Sequence, residues 1–346
     1  MSEPIPVSIV EVKMGYITLK DVAKKAGVSL SAASRALNGK QDVSEETRKK
    51  ITKTAEELGY VPNRFASALK FQKTHTIGVI IEDNANPFWA EVLKGIESEA
   101  QNNNYQVILA NTSRSYEREV KAVKTLIQRR VDGLLIAPNQ EKYDDLFMIR
   151  NLGVPFVIVG RHIKEFESLG IPMVYSDEVN GGYRATGHLI ERGCKRIAFI
   201  GAQTYNTASI ERCEGYKKAL KEGGIDIDDR LIKTGGIEID GGYKSVMELI
   251  RDGVRFDGIF AYNDLMAFGV IKALKENGIK IPQEVKVIGY DDIPFSALIT
   301  PSLTTMRIHK QEMGRESFKT LEKLENRKME ASNVLETNLI LRESSL

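Results

Sequence analysis

Cysteine, histidine and tryptophan are scarce in this 346-residue chain: two cysteines, Cys194 and Cys213, four histidines, His75, His162, His188 and His309, and one tryptophan, Trp89. The cysteines form no C-x-x-C pair and stand beside no histidine cluster, which argues against a disulfide scaffold or a metal site. No run of 18 apolar residues occurs, so no segment has the length of a membrane-spanning helix. The first 15 residues lack a basic start followed by an apolar stretch, and a secretory leader is not expected. Gly-x-Gly-x-x-Gly is missing, and the only Gly-Lys pair, Gly39 and Lys40, is followed by Gln41. Neither a dinucleotide fingerprint nor a phosphate loop is therefore present, and no nucleophile-elbow serine accompanies the scattered histidines. These absences point away from an enzyme, from any cofactor and from a membrane, and toward a cytoplasmic protein.

The composition that remains, 42% apolar and 28% charged, is that of a globular chain of two or three domains. The net charge of +2 hides an asymmetry. Residues 1–75 carry 13 Lys or Arg against 8 Asp or Glu, a balance of +5, and the rest carry 36 against 39, a balance of −3. Residues 1–15 contain two prolines and no helical periodicity, and are expected to be a disordered tail or the product of a start placed too early.

From Thr18 the pattern is that of a compact helical head. Thr18 and Asp21 have the spacing that satisfies free amides at a helix start. Ala26, Gly27 and Val28 supply a turn, and Ser29 is placed to cap a second helix. That helix opens with Leu30, Ser31 and Ala32, side chains short enough to enter a DNA groove, and Arg35 follows one turn on, within reach of a guanine or a phosphate. A third helix is expected from Ser44 to about Leu58, with Ile51, Ala55 and Leu58 inward. Pro62 ends regular structure, and Asn63 can cap a segment, Arg64 to Lys70, too short to be a stable helix alone.

Three stretches, TLKDVAKKAGVSLSAASRALNGK, VSEETRKKI and LGYVPNRFASALK, resemble the head and hinge of the lactose-repressor (LacI/GalR) family. The resemblance implies a helix-turn-helix domain at 16–61 and a hinge helix and linker at 62–74. It places Thr18, Ser29, Leu30, Ser31, Ala32, Ser34, Arg35 and Asn38 of the head, and Asn63, Arg64, Ala66 and Leu69 of the hinge, on palindromic operator DNA. Leu69 would be the wedge that two paired hinge helices push between base pairs. A homodimer is the expected assembly, without a leucine-heptad tail for a tetramer.

Beyond Thr76, apolar runs alternate with helical patterns: IGVII, VILA, GLLIA and PFVIVG, then RIAFIG, GIFAY and VKVIGYDD. Such alternation predicts an α/β fold of two doubly wound lobes. Ligands bind such sheets beyond the carboxyl ends of their strands. The core, residues 75–346, resembles ribose-type periplasmic sugar-binding proteins, with one lobe expected at about 75–174 and 306–330 and the other at about 175–305 and 331–346. The matching positions at strand ends are Asn86, Phe88 and Trp89 after the first strand, the arginines Arg161 and Arg212, then Asn263 and Asp291. Aromatic faces suit the C–H side of a sugar, and guanidinium, amide and carboxylate groups suit adjacent hydroxyls. Phe88 and Trp89 also suit a packed core, and Asn263 and Asp264 also suit a helix cap, with an interlobe contact the other reading of Asp264. Two positions depart from the ribose pattern: Gly160 stands where an aspartate precedes the first arginine, and Ile308 stands where a late glutamine is expected.

The resemblance implies a transcriptional repressor controlled by a small sugar-like effector in the interlobe cleft. A phosphocarrier partner protein or a purine-type corepressor is the alternative signal.

Overall fold

The computed structural model describes residues 17–40, 42–61, 73–138, 142–202, 206–326 and 331–346. The expected tail and the hinge positions Asn63, Arg64, Ala66 and Leu69 lie outside them. The chain divides into two compact units, residues 1–74 and 75–346.

In the first unit, α1 (Leu19–Ala26), α2 (Leu30–Leu37) and α3 (Glu45–Leu58) enclose a small core of Val22, Ala23, Ala26, Ala33, Ala36, Ile51 and Ala55. Its alanines let short helices pack closely. The Asp21 carboxylate accepts from the Thr18 N–H at 2.9 Å and from its hydroxyl at 2.6 Å, which fixes the start of α1. Gly27 ends α1 in the left-handed conformation (φ 67°), where a side chain would be strained.

The second unit contains two sheets, each of six strands among the described residues. The first orders its strands β11 (Asn333–Leu335), β5 (Met173–Ser176), β4 (Phe156–Val159), β3 (Gly133–Ile136), β1 (Thr76–Ile81) and β2 (Gln106–Asn111), all parallel. The second runs β12 (Thr337–Ile340), β10 (Thr304–Ile308), β9 (Lys286–Asp291), β8 (Gly258–Ala261), β6 (Ile197–Gly201) and β7 (Ile232–Thr234), with only the β10–β12 pair antiparallel. Central strands such as β3, β4 and β8 are buried along their whole length, as apolar runs covered on both faces should be. In the first lobe, α4 (Pro87–Asn102) and α12 (Lys310–Glu325) pack together, with α5 (Tyr116–Gln128) and α6 (Asp144–Asn151) forming another pair. In the second lobe, α8 (Glu178–Glu191) pairs with α9 (Thr207–Glu222), and α10 (Ile239–Arg251) with α11 (Asp264–Glu276). A short helix, α7 (Lys164–Ser168), follows β4. No helix among the described residues is long and apolar enough to cross a membrane.

The chain passes between lobes at Asp177, His309 and Glu336. Each passage falls a few residues after the expected boundary, because β5, β10 and β11 first run to the ends of their pairings in the sheet they belong to.

Candidate functional site

In the head, α2 turns Ala33 and Ala36 into the core and leaves Leu30, Ser31, Arg35 and Asn38 exposed, with Ala32 and Ser34 half-buried between them. The Ser29 hydroxyl accepts from the Ala32 N–H at 3.1 Å, capping the helix. The Asn38 side chain donates to the Ser34 carbonyl at 2.7 Å, so its amide also closes the far end. Arg35 projects into solvent and pairs with Asp42 at 3.0 Å. The expected positions of α2 thus form one outward stripe, while Thr18 is exposed at the start of α1.

In the core, Asn86, Phe88, Trp89, Arg161, Arg212, Asn263 and Asp291 all line one cavity of about 50 Å³. They reach it from the carboxyl ends of β1, β4, β8 and β9 and from α4 and α9, so both lobes contribute.

Several of these side chains also build the fold. Asn86 caps α4, accepting from the Phe88 N–H at 3.0 Å. Trp89 is buried in the core and meets Phe88 edge-on, with ring centroids 4.9 Å apart. The packing reading therefore holds for Trp89 alongside its place in the cavity wall. Asn263 caps α11 through the Met266 N–H at 2.8 Å and donates to the Ile237 carbonyl at 3.0 Å, leaving its second amide hydrogen for other partners.

The arginines are held by carboxylates. Arg161 donates to Glu82, the residue after β1. Arg212 donates through Nε to Glu178 at 2.7 Å and through Nη1 to the Tyr262 carbonyl, and lies 3.9 Å from an Asp291 oxygen. Its guanidinium sits 3.6 Å from the centroid of the Tyr290 ring, a stacking geometry suited to a planar cation. Burial opposes charge on Arg212, but Glu178 and the surrounding ring and carboxyl oxygens outweigh it and raise its pKa. Burial pushes the Asp291 carboxyl up to about 8, against the pull of Arg212.

Asp264 proves to be neither the cap of α11 nor an interlobe contact. Its carboxylate accepts from the Ile293 N–H at 2.8 Å and from the hydroxyls of Ser296 and Thr305 at 2.6 Å each, all within the second lobe. It clasps the loop after β9, and burial pushes its pKa up to about 6 despite those bonds.

Sequence reading missed Glu82 and Glu178. Each had a signal, Glu82 as an acid closing the run TIGVII and Glu178 as an acid in the first turn after Asp177. The histidines have separate partners: His162 meets Glu167 at 3.0 Å, His188 meets Ser345 at 2.9 Å, and His309 meets Asn338 at 2.7 Å. Among the described residues no group of His, Cys, Asp and Glu could hold a metal ion.

A helix-turn-helix head joined to a two-lobed core, with a polar cavity at the strand ends, defines a class of ligand-responsive regulators. Known proteins make the assignment specific. Residues 18–63 match the model of bacterial regulatory proteins of the lacI family, and residues 74–341 match that of periplasmic binding proteins and the sugar-binding domain of the LacI family. The chain is 35% identical over 332 residues to the HTH-type transcriptional regulator RegA of Clostridium saccharobutylicum, covering 95% of this chain and 99% of RegA. It is 37% identical over 303 residues to the ribose operon repressor of Escherichia coli (strain K12), covering 86% and 89% respectively. Its structure resembles that of the Lac repressor dimer bound to operator and the anti-inducer ONPF, with a TM-score of 0.87, 26% identity, and coverage of 96% of this chain and 100% of that one. The chain belongs to the LacI family of regulatory proteins.

Proposed function

We propose that the chain is a homodimeric transcriptional repressor whose heads read a palindromic operator and whose core senses a small, sugar-like effector. The observation that carries the reading is the convergence of seven polar and aromatic side chains from both lobes on one cavity, with two buried arginines in its wall. Leu30, Ser31 and Arg35 face base edges, while Ala32, Ser34, Asn38, Thr18 and Ser29 set the approach of α2 to the groove and its phosphates. The hinge positions Asn63, Arg64, Ala66 and Leu69 add further DNA contacts in this reading, with Leu69 as the wedge between base pairs. No catalytic step is part of this reading.

The cavity, about 50 Å³, has room for one or two waters and not for a sugar ring. The lobes therefore open to admit the effector, and an effector that favours one degree of closure shifts the population of DNA-binding heads by its difference in affinity between the two states. The test is to select operators from random duplex DNA with the purified protein, then titrate the complex with pentoses, hexoses, disaccharides and purines. Enrichment of a palindrome whose complex responds to one compound is the expected result. Failure to enrich any sequence would remove the DNA-reading role.

A further inference from the structure

We propose that Glu82 is an effector-contacting residue that determines specificity, setting the cleft to accept an uncharged, hydroxyl-rich ligand and to refuse a phosphorylated one. The inference rests on the effector-site reading above.

Gly160 stands directly before Arg161, the position at which the resemblance to ribose-type binders leads to an aspartate. Gly160 has φ 77°, and a Cβ built on it would lie 3.1 Å from the Trp89 indole. The indole occupies the room that an aspartate would need, and the backbone is in the region that glycine tolerates best. The carboxylate comes instead from the end of β1, with β3 between it and β4: Arg161 donates to Glu82, whose other oxygen lies 3.9 Å from Arg114.

The charge around the cavity follows from this exchange. Among the described lining residues the cations are Arg161 and Arg212, and the anions are Glu82, Glu178 and Asp291. Lys310 lies behind Asp291 and is occupied by the backbone carbonyls of Asp291 and Asp292. Arg114, outside the lining, pairs with Glu238 and approaches Asp83. The segments 139–141 and 203–205 contain no lysine or arginine. If Asp291 is protonated, two carboxylates balance two guanidiniums, and if it is ionised the wall is negative. Neither state offers the surplus positive charge that would repay desolvation of a phosphate dianion. Sugar hydroxyls can instead donate to the carboxylates and accept from the guanidinium N–H groups, so they use both halves of each pair.

The experiment uses the full-length protein, with binding followed by Trp89 fluorescence and calorimetry. The probes are D-ribose and ribose 5-phosphate, D-glucose and glucose 6-phosphate, cellobiose and its 6′-phosphate, and inorganic phosphate. At least one free sugar is expected to bind, its phosphate ester at least tenfold more weakly, and inorganic phosphate not at all. Glu82→Gln should narrow the sugar-to-ester ratio by tenfold or more, whereas Glu82→Asp, which keeps the charge, should still refuse the ester. A shift in selectivity separates a ligand contact from a purely structural role, and the wild-type arm does not depend on either variant folding. Wild-type protein that binds a phosphate ester as tightly as its parent sugar, or that binds inorganic phosphate saturably, overturns the proposal and leaves the effector reading standing. Silence from every sugar and ester, with operator binding unmoved, defeats the effector reading itself, and the role of Glu82 falls with it.

Discussion

Arg212 gathers more of the site than any other single side chain, joining Glu178, Asp291, the Tyr262 carbonyl and the Tyr290 ring. Its removal would leave Glu178 buried without its cation. Arg212→Ala should therefore lower core stability by about 3–5 kcal/mol, the cost of an uncompensated buried charge, and abolish the effector response. Urea denaturation checks the first, and a folded variant that still responds normally would end the assignment. Asp291 gives a pH test. An ordinary aspartate titrates near 3.9, whereas burial raises Asp291 to about 8. The folded state then holds a proton that the unfolded state has released, so this group's contribution to stability falls as pH rises from about 4 to about 8. Asp291→Asn has no such titration. Its Tm relative to wild type should rise steadily across that window, and parallel Tm curves would contradict the buried, neutral carboxyl.

Helix pairing decides where these side chains stand. α8 and α9 approach so closely that a Cβ on Gly215 would lie 2.1 Å from the Val179 carbonyl, and one on Gly182 would lie 2.3 Å from the Arg212 carbonyl. Gly215→Ala must push the helices apart, which should cost about 1–3 kcal/mol and displace Arg212, weakening effector binding as well. Gly187, on the same α8, has open space around its Cβ position. Gly187→Ala should stabilise the helix by about 0.5–1 kcal/mol with effector binding unchanged. Chemical denaturation of the two variants side by side checks both.

The sequence made many of these elements legible. Long apolar runs such as IGVII and RIAFIG announce central strands, and Ser29 and Pro87 mark helix starts through local chemistry alone. Short strands at or beside the sheet edges did not show: MVYS, IKT and NVL have too few residues for a period, and partners far along the chain create them. The cavity was legible at strand ends, where residue type and position coincide. The pairing of Arg161 with Glu82 was not, because 79 residues separate two groups that only the β1–β3–β4 order brings together.

At the scale of the whole molecule, DNA reading and effector sensing are separable and yet linked. The Arg35–Asp42 pair is exposed, so Arg35→Ala should change head stability by less than about 1 kcal/mol while weakening specific operator binding by about 1–3 kcal/mol. Thermal melts and operator titrations separate the two effects. Lys49 is exposed on α3; if it meets a phosphate, Lys49→Ala should reduce affinity evenly across sequences and lower the salt slope by about one unit, whereas an unchanged slope would leave Lys49 on free surface. Operator must change effector affinity by the same factor that effector changes operator affinity.

The passages at Asp177, His309 and Glu336 join matching edges: β5 with β11 on one sheet, β10 with β12 on the other. Mechanically these are three adjacent ties along one side of two rigid plates. Plates tied in this way stay joined along that side, and a swing about it is the motion that stretches the ties least. A ligand held in the cleft beside these ties is therefore read out as an angle, and a nick in any one tie leaves two others to hold the pivot.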